Sequence, residues 1–188
     1  MPVARCHSGG MRLFLGVMTP DAVDDALDAV LDAAVQFRAR EAGADRWTPR
    51  SERHVTVRFL GETQDRAAVE RGAALAAARS RAPRLLIGPH AVALTARVVA
   101  LPVDGAQHLA DAVDESLAEE GLPARDRPFT GHLTIARSRH RLHGAAAHEA
   151  LAHGPLAVPW QPDALHVIAS DPDSAARYRV LSTHPFAA

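Results

Sequence analysis

The sequence predicts one globular unit of the α+β or α/β class with internal two-fold character. Segments with strand patterns alternate with segments with helix patterns along the 188 residues, without long linkers or Gly-rich phosphate-binding fingerprints. In addition, one pattern occurs twice, as His54-Val55-Thr56-Val57 and as His132-Leu133-Thr134-Ile135, 78 residues apart. A repeat of this kind indicates a duplicated half-domain.

The composition is typical of a soluble protein and excludes several classes of chemistry. Apolar residues make up 47% of the chain, charged residues 23%, and the formal net charge is −1. An overall basic field for tight, non-specific binding to long nucleic acids is therefore absent, although a local basic cleft remains open. All 21 basic residues are arginines, which excludes a lysine nucleophile and a lysine-dependent phosphate loop.

Targeting and cross-linking signals are also few. Cys6 is the single cysteine, so no internal disulfide can form. The sequence has neither the roughly 18 consecutive apolar residues of a membrane span nor the apolar run of a signal peptide. We therefore expect a cytoplasmic monomer without a membrane partner, with residues 1–10 as a flexible N-terminal extension and residues 11–188 as a single domain.

The first half of the chain predicts a strand, a helix, the first His-Thr strand and a second helix. Leu13–Met18 is typical of a buried strand, and Thr19-Pro20 supplies an N-cap and a first-turn proline. Apolar residues then recur at steps of four and three, opposite an acidic side. The apolar positions are Val23, Leu27, Val30, Ala34 and Phe37, and the acidic ones are Asp24, Asp25, Asp28 and Asp32. After Gly61, Thr63 can cap an Ala-rich helix from Asp65 to Arg79.

The second half repeats this order. Leu109, Val113 and Leu117 form the apolar stripe of a helix, and Gly121 stands where a left-handed C-cap is expected. A polar loop, Ala124–Phe129, then precedes the second His-Thr strand. The remaining predicted elements are strands at Leu85–Ile87, Ala91–Leu94, Val98–Val103, Leu165–Ala169 and Tyr178–Ser182, and a weak helix from His143 to Ala152.

The repeated strands can carry acid–base chemistry at a phosphate. Side chains alternate along a strand, so His and Thr of each motif point the same way and the apolar pair points the other. With an unperturbed pKa of about 6.5, two histidines in one cleft can act as acid and base in an in-line displacement. A Thr hydroxyl can donate to a non-bridging phosphate oxygen. The pattern favours a metal-free, cofactor-free phosphoester site, whereas either strand alone would be an ordinary half-buried strand.

The flanks of both motifs extend the pattern. Met11-Arg12-Leu13-Phe14 begins the first strand, and Trp47 stands seven residues before His54. Further flanks are Arg58-Phe59-Leu60-Gly61, Pro128-Phe129, Ala136-Arg137 and the last strand at Ala176–Leu181. With these flanks, residues 11–186 resemble the two-histidine phosphoesterase superfamily, and within it the RNA 2′,3′-cyclic phosphodiesterases, also called 2′-5′ RNA ligases.

The resemblance implies a bilobal α+β fold, in which two pseudo-symmetric lobes of antiparallel sheet, flanked by helices, surround a central groove. It implies hydrolysis of RNA 2′,3′-cyclic phosphate ends to 2′-phosphomonoesters, with reversible 2′-5′ joining to a 5′-hydroxyl end as a further activity. RNA 3′ ends or nucleotides that carry a cyclic phosphate are the implied partners. By analogy, His54 is the proton donor to the leaving 3′ oxygen, His132 is the base that activates water, and Thr56 and Thr134 hold the phosphate.

Two places depart from the family pattern. Arg53 precedes His54 where the family usually has an apolar residue, and Ala169–Ser174 is a compact connection between the last strands. Both lie outside the motifs, and we expect them to shape the rim of the groove.

Further site candidates follow from the same strands. Arg58 lies on the His54 face by strict alternation and is a candidate phosphate ligand. Arg137 would need a bulge or a strand end to turn it toward the His132 face. The candidates for stacking on a base, for which core packing is the alternative, are Phe14, Trp47, Phe129 and Tyr178.

A loose cluster of four histidines shortly after the second motif forms no recognisable metal pattern. The spacing of His140, His143, His148 and His153 fits no helical metal-binding face. A solvated helix with incidental histidines is the preferred interpretation, and we expect no metal site.

Two other functions remain open. One is a phosphodiesterase for a small cyclic nucleotide or for ADP-ribose cyclic phosphate, which turnover of a short RNA against a mononucleotide would separate from the first. The other is a non-catalytic nucleotide- or RNA-binding module. The presence of both His and both Thr residues argues against that module, because binding alone needs no acid–base pair.

Overall fold

Strands and helices alternate in the computed structural model, which describes residues 12–63, 65–141, 155–171, 174 and 177–188. The strands are β1 (Arg12–Met18), β2 (Arg46–Trp47), β3 (His54–Glu62), β4 (Leu85–Ile87), β5 (Val92–Thr95), β6 (Val98–Asp104), β7 (His132–Arg137), β8 (Val158–Trp160), β9 (Ala164–Ser170) and β10 (Tyr178–Pro185). The helices are α1 (Asp21–Val30), α2 (Ala33–Glu41), α3 (Arg66–Arg79) and α4 (Gln107–Glu119), and a 3-10 turn covers Arg50–Glu52. None of these helices has the length and apolarity that crossing a membrane requires.

The described strands form one antiparallel sheet that is symmetric about its middle. The order is β10-β9-β1-β3-β7-β6-β4-β8, with β2 paired to β7 and β5 paired to β6. One half therefore reads β10-β9-β1-β3 outside to inside, and the other reads β8-β4-β6-β7. The two His-Thr strands, β3 and β7, are neighbours at the centre and pair through Val55 and Leu133. The predicted α+β fold with two pseudo-symmetric lobes is confirmed.

The apolar residues of the two motifs lie in the hydrophobic core. Val55, Val57, Leu133 and Ile135 are all buried, whereas the His and Thr residues between them keep partial exposure. α3 packs against α4, β9 and β10, and α4 also contacts β3. Gly72 permits the close approach of α3 and α4, since a Cβ there would lie 2.8 Å from Cδ2 of Leu117. The core thus covers one face of β3 and leaves the His-Thr face open.

The predicted first helix is in fact two helices, and its capping was predicted wrongly. The side chain of Asp32 accepts a hydrogen bond from the backbone N of Val35 and begins α2 after a break at Leu31. Phe37, placed in the apolar stripe, is 65% exposed because the break shifts the helical phase. Thr19 is not the N-cap; its hydroxyl donates to the carboxylate of Asp24.

Asp24, expected on the solvated side, is buried in an ion pair. Its Oδ1 lies 3.1 Å from Nη1 of Arg53, and Asp28 takes Nη2 of the same guanidinium at 2.6 Å. The arginine that departs from the family pattern is therefore itself buried and anchors α1 to the start of β3.

Of the caps predicted for α3 and α4, the one at the start of α3 is displaced by two residues and the one at the end of α4 is correct. Asp65, not Thr63, caps α3, since its side chain accepts a hydrogen bond from the N of Ala68. Gly121 follows α4 with φ of +78°, as the predicted left-handed C-cap requires. β2 and β8 were not predicted, because two residues leave no periodic signal and β8 has a proline at its centre, which argues against a strand. The predicted extension at 1–10, the helix at 143–152, and His143, His148 and His153 lie outside the described residues.

Candidate active site

β3 and β7 each carry a bulge directly after their Thr. The pairing of β3 with β1 skips Val57, and the pairing of β7 with β6 skips Ile135. One extra residue reverses the alternation of the side chains that follow it. The fifth residue after each histidine, Phe59 on β3 and Arg137 on β7, therefore shares the face of the His and Thr residues.

A cavity of about 240 Å³ lies on this face of the two strands. The two motif histidines, both motif threonines and both post-bulge residues contribute to its wall, together with residues of β1, β9, β10 and the connection before β10. The lining consists of Arg12, Phe14, His54, Thr56, Phe59, His132, Thr134, Arg137, Ser170, Arg177 and Tyr178. One cavity thus receives the polar residues of both halves.

The register of β3 and β7 sets the spacing of the two histidines. Continuing the antiparallel pairing from Val55 places His54 beside Thr134 and Thr56 beside His132. The histidines then lie on a cross-strand diagonal, for which antiparallel sheets give a separation of about 7–8 Å. A phosphate group fits between two imidazoles at that separation, with a hydroxyl next to each ring.

Both imidazoles are oriented by the same hydrogen bond to the backbone. Nδ1 of His54 lies 2.7 Å from the carbonyl oxygen of Glu52, and Nδ1 of His132 lies 2.8 Å from that of Thr130. A carbonyl oxygen only accepts, so Nδ1 carries a proton in both rings. Nε2 is therefore the atom of each ring that can exchange a proton with a substrate.

His54 has an apolar, aromatic environment. Its ring centroid lies 4.8 Å from that of Phe14 and 4.9 Å from that of Tyr178. Burial lowers the pKa of His54 from 6.5 to about 4, against the opposing effect of the hydrogen bond to Glu52, and the charges of Arg137 and His132 lower it further. The His54 ring is therefore neutral at neutral pH in the ligand-free protein.

Arg58 does not face the cavity, so the prediction that it binds phosphate is wrong. The bulge at Val57 turns its side chain into the protein, where it is only 7% exposed. Its Nη2 donates to the carbonyl oxygen of Pro123 at 2.6 Å, and its Nε lies 3.5 Å from Oδ1 of Asp114. Arg58 instead ties β3 to α4 and the segment that follows it.

Two of the predicted stacking residues also lie elsewhere. Trp47 pairs opposite Ala136, along the edge of β7 that also pairs with β3, and packs against the core. Phe129 packs against the core under the guanidinium of Arg125, 5.7 Å from the ring centroid. Core packing, the alternative considered for both, is what the structure shows. Phe14 and Tyr178 do line the cavity, but Phe14 is only 3% exposed.

Sequence reasoning missed Arg12, Phe59, Ser170 and Arg177 in the cavity wall. Phe59 is 60% exposed, an unusual position for a phenylalanine. A signal for it existed: Phe59 follows His54 by the same five residues by which Arg137 follows His132. The bulge considered for Arg137 therefore also applied to Phe59. Arg12, Ser170 and Arg177 lie in other segments, and only the tertiary fold brings them in.

No group of three His, Cys, Asp or Glu residues in the described ranges could hold a metal ion. Of His140, His143, His148 and His153, only His140 is described, and it lies outside this cavity.

Similarity to known proteins extends over most of the chain. The 2′-5′ RNA ligase superfamily model matches residues 19–174. A crystal structure of TT0787 from Thermus thermophilus aligns with a TM-score of 0.73 at 20% identity and covers 94% of this chain and 98% of that one. A crystal structure of a phosphoesterase aligns with a TM-score of 0.65 at 25% identity and covers 95% of this chain and 99% of that one. A crystal structure of Escherichia coli LigT complexed with 3′-AMP aligns with a TM-score of 0.64 at 27% identity and covers 95% of this chain and 99% of that one. No curated protein matches the sequence.

Proposed function

Because the chain belongs to the 2′-5′ RNA ligase superfamily, we propose that it hydrolyses RNA 2′,3′-cyclic phosphate ends to 2′-phosphomonoesters. His54 and His132 are the catalytic acid–base pair in this proposal. Thr56, Thr134 and Arg137 bind the phosphate, and no metal ion is required. The single observation that carries the proposal is the identical presentation of two imidazoles in one cavity, each with Nδ1 bound to a backbone carbonyl.

The reaction is an in-line displacement at phosphorus. His132 accepts a proton from water through Nε2 while the water oxygen bonds to phosphorus. The bond between phosphorus and the 3′ oxygen breaks, and His54 gives its Nε2 proton to that oxygen. The products are a 2′-phosphomonoester and a free 3′-hydroxyl, and proton exchange with solvent restores both rings. A 5′-hydroxyl in place of water would give a 2′-5′ linkage by the same steps.

The acid role of His54 requires a protonated ring, which the ligand-free protein disfavours. A cyclic phosphodiester carries a negative charge, and a negative charge beside an imidazole raises the pKa of that imidazole. Substrate binding between the rings therefore supplies the counter-charge that protonated His54 lacks. His54 is therefore protonated only in the complex with the substrate, where its proton is transferred to the leaving oxygen.

The threonines and Arg137 stabilise the charge that develops on the non-bridging oxygens. Each Thr hydroxyl lies beside the histidine of the other strand and can donate to one of these oxygens. Arg137 adds a fixed positive charge on the His54 side of the cavity, because the antiparallel pairing of β3 and β7 brings the end of β7 to that side. Together these donors replace the Lewis acid of a metal-dependent phosphodiesterase.

Phe59 is the proposed platform for the terminal base. Its ring is exposed at the edge of the cavity, on the His132 side, because β3 and β7 are antiparallel. Aromatic rings exposed in this way commonly stack on unpaired bases. The likeness to LigT, whose crystal structure holds 3′-AMP, supports a nucleotide in the groove of this protein.

The test is turnover of a tetranucleotide that ends in a 2′,3′-cyclic phosphate, in excess EDTA. We expect the 2′-phosphomonoester as product, identified by phosphorus NMR. The His54→Ala/His132→Ala double variant is the control, and its circular dichroism should match that of the wild type.

Three results would each contradict the proposal in a different way. A 3′-phosphate product would show that the other bond breaks. Activity in the double variant would remove the histidines from the chemistry. Activity lost in EDTA but recovered with a divalent cation would indicate a metal-dependent site.

A further inference from the structure

A second cavity, of about 910 Å³, adjoins the catalytic cavity. Four arginines line it, namely Arg46, Arg137, Arg139 and Arg177, and we call it the arginine pocket. Arg137 and Arg177 also line the catalytic cavity. The two cavities therefore share a wall made of two guanidinium side chains.

Most of the positive charge in the arginine pocket is not neutralised by the residues that the structure describes. Arg46 is an exception, since its Nη2 donates to both carboxylate oxygens of Glu52 at 2.7 and 2.8 Å. Within the described ranges, Arg137, Arg139 and Arg177 form no ion pair with a carboxylate. Among the described lining residues Asp45 is the one acidic residue, so the arginine pocket attracts anions.

The carboxylate of Asp45 is already committed to the backbone and side chains of the pocket wall. Its Oδ2 accepts hydrogen bonds from the backbone N of Arg139 at 2.8 Å and from the hydroxyl of Ser138 at 3.3 Å. It therefore fixes the loop that presents the Arg139 side chain, which is exposed. Asp45 thus positions this part of the pocket wall, and no carboxylate of the described residues pairs with the guanidinium of Arg139.

Two features of the pocket are unfavourable without a bound anion. Arg46 and Arg137 are directly opposite in the β2–β7 pairing, and the ion pair of Arg46 with Glu52 offsets only part of the repulsion between like charges at opposed positions. Nε of Arg177 is buried and has no hydrogen-bond partner among the described residues. A phosphate oxygen at this place would offset the repulsion between the two arginines and would accept a hydrogen bond from Nε of Arg177.

We propose that the arginine pocket binds the internucleotide phosphates of the RNA strand whose cyclic phosphate lies between His54 and His132. This inference rests on the proposed function, because it takes the cyclic end to be seated in the catalytic cavity. The rest of the strand, on the 5′ side, then passes Arg137 and Arg177 into the pocket. Guanidinium groups suit this ligand, since they pair with phosphate in a bidentate manner.

The arginine pocket would make the enzyme selective for oligonucleotides. A mononucleotide with a cyclic phosphate has no further phosphate and leaves the pocket empty. An oligonucleotide with the same terminal nucleotide gains the additional ion pairs. Arg139 separates these cases best, because it lines the arginine pocket but not the catalytic cavity.

The test compares the affinities of two products, a tetranucleotide with a 2′-phosphate end and the matching nucleoside 2′-monophosphate, by calorimetry. We expect the wild type to bind the tetranucleotide at least about tenfold more tightly, and Arg139→Ala to lose most of this ratio. The dependence of log Kd on log salt concentration should also become shallower by about 0.7 for each phosphate that the variant no longer binds. Arg97→Ala is the matched control, since Arg97 is exposed and lines neither cavity.

Equal affinity of the wild type for both products would overturn the proposal, and so would equal losses in Arg139→Ala and Arg97→Ala. These binding measurements need no turnover. An enzyme that hydrolyses no cyclic end but keeps the Arg139-dependent ratio would refute the proposed function and retain the pocket. Hydrolysis without any preference for the tetranucleotide would retain the function and refute the pocket.

Discussion

The two His-Thr strands are alike in backbone and different in surroundings. β3 and β7 share the bulge after Thr and the partial exposure of both polar residues. They also share the bond from the histidine Nδ1 to the carbonyl two residues earlier. Each of these backbone features, which orient the His and Thr side chains toward the cavity, is therefore present twice.

The residues around each strand are not repeated. His54 follows the buried Arg53 and lies between the rings of Phe14 and Tyr178. His132 instead follows Gly131, where a Cβ would lie 2.1 Å from the carbonyl oxygen of Val103. Past the bulge, the first half presents Phe59 and the second presents Arg137.

This difference shows how a symmetric fold can serve an asymmetric reaction. Hydrolysis of a phosphodiester needs one proton donor and one acceptor, and two identical imidazoles cannot differ in that way. The backbone fixes where the two rings stand, whereas the neighbouring side chains fix the protonation of His54. The halves should therefore be interchangeable in geometry and distinct in role.

The largest expected effect concerns the acid and base roles, which a substrate with sulfur in place of the 3′ bridging oxygen can separate. A thiolate leaves without a proton, so this substrate needs a base but no acid. On the oxygen substrate, His54→Ala and His132→Ala should each lose about 10³-fold or more in kcat. On the sulfur substrate, His54→Ala should recover most of its activity and His132→Ala should not.

Recovery of His132→Ala alone would show that the two roles are exchanged. If neither variant recovers, protonation of the leaving oxygen by a histidine is not part of the mechanism. A bell-shaped pH profile alone cannot make this distinction, because exchanging the protonation states of acid and base gives the same profile. The sulfur substrate compares the two halves directly.

The second expected effect concerns the threonines. Thr56→Ala and Thr134→Ala should each lower kcat by about 10- to 100-fold, because each removes one donor to a phosphate oxygen. Thr→Ser variants keep the hydroxyl and should remain near the wild-type rate. Losses of equal size would indicate a phosphate held evenly by both halves. A loss in one variant only would place the phosphate on that strand.

Much of this site could be predicted because its main signals are local. Alternation along a strand is enough to put His54 with Thr56 and His132 with Thr134, and the repeated motif pairs the two strands. The core positions Val55 and Leu133 follow from the same period.

The bulges could not be derived in this way, since pairing with β1 and β6 creates them. For that reason Arg58, expected on the His54 face, points into the protein, and Phe59 lies on the His54 face in its place. The positions of the Trp47 and Phe129 side chains depend on packing between segments that are distant in the sequence. No local sequence pattern indicates such packing. The split between α1 and α2 depended on one capping contact of Asp32.

The third expected effect is a pH dependence of stability that comes from the first half. The pKa of His54 is lowered to about 4, whereas an unfolded chain has the usual value near 6.5. Between these values the unfolded state binds a proton that the folded state does not, so stability falls as the pH decreases from about 6.5 to 4. His54 keeps an exposed edge, and we expect a loss of about 2 kcal/mol over this window.

The measurement is denaturant unfolding at a series of pH values. His54→Gln should flatten the curve, while His166, whose pKa burial also lowers, leaves a residual slope in both proteins. NMR titration of the His54 ring gives a second readout, and its pKa should rise when a nucleoside 2′-monophosphate is added. A slope unchanged by His54→Gln would contradict the aromatic desolvation of this ring.

The smallest expected effect separates Phe59 from Arg137, the two residues at the same place in each half. Phe59→Ala should raise KM for a cyclic end by about tenfold, because stacking on one base contributes about 1–3 kcal/mol. The effect should vanish on a substrate whose terminal base is replaced by hydrogen. Arg137→Ala should lower kcat on both substrates, because Arg137 acts on the phosphate.

Phe37→Ala removes a ring of similar exposure on α2, outside both cavities, and is the matched control. Phe59→Leu keeps an apolar side chain without an aromatic face and should behave like Phe59→Ala if stacking is the cause. A KM for the base-free substrate that also rises in Phe59→Ala would make Phe59 a wall of the cavity and no base platform. The first half would then contribute only an acid and a hydroxyl, and the identity of the terminal base would have to be recognised elsewhere.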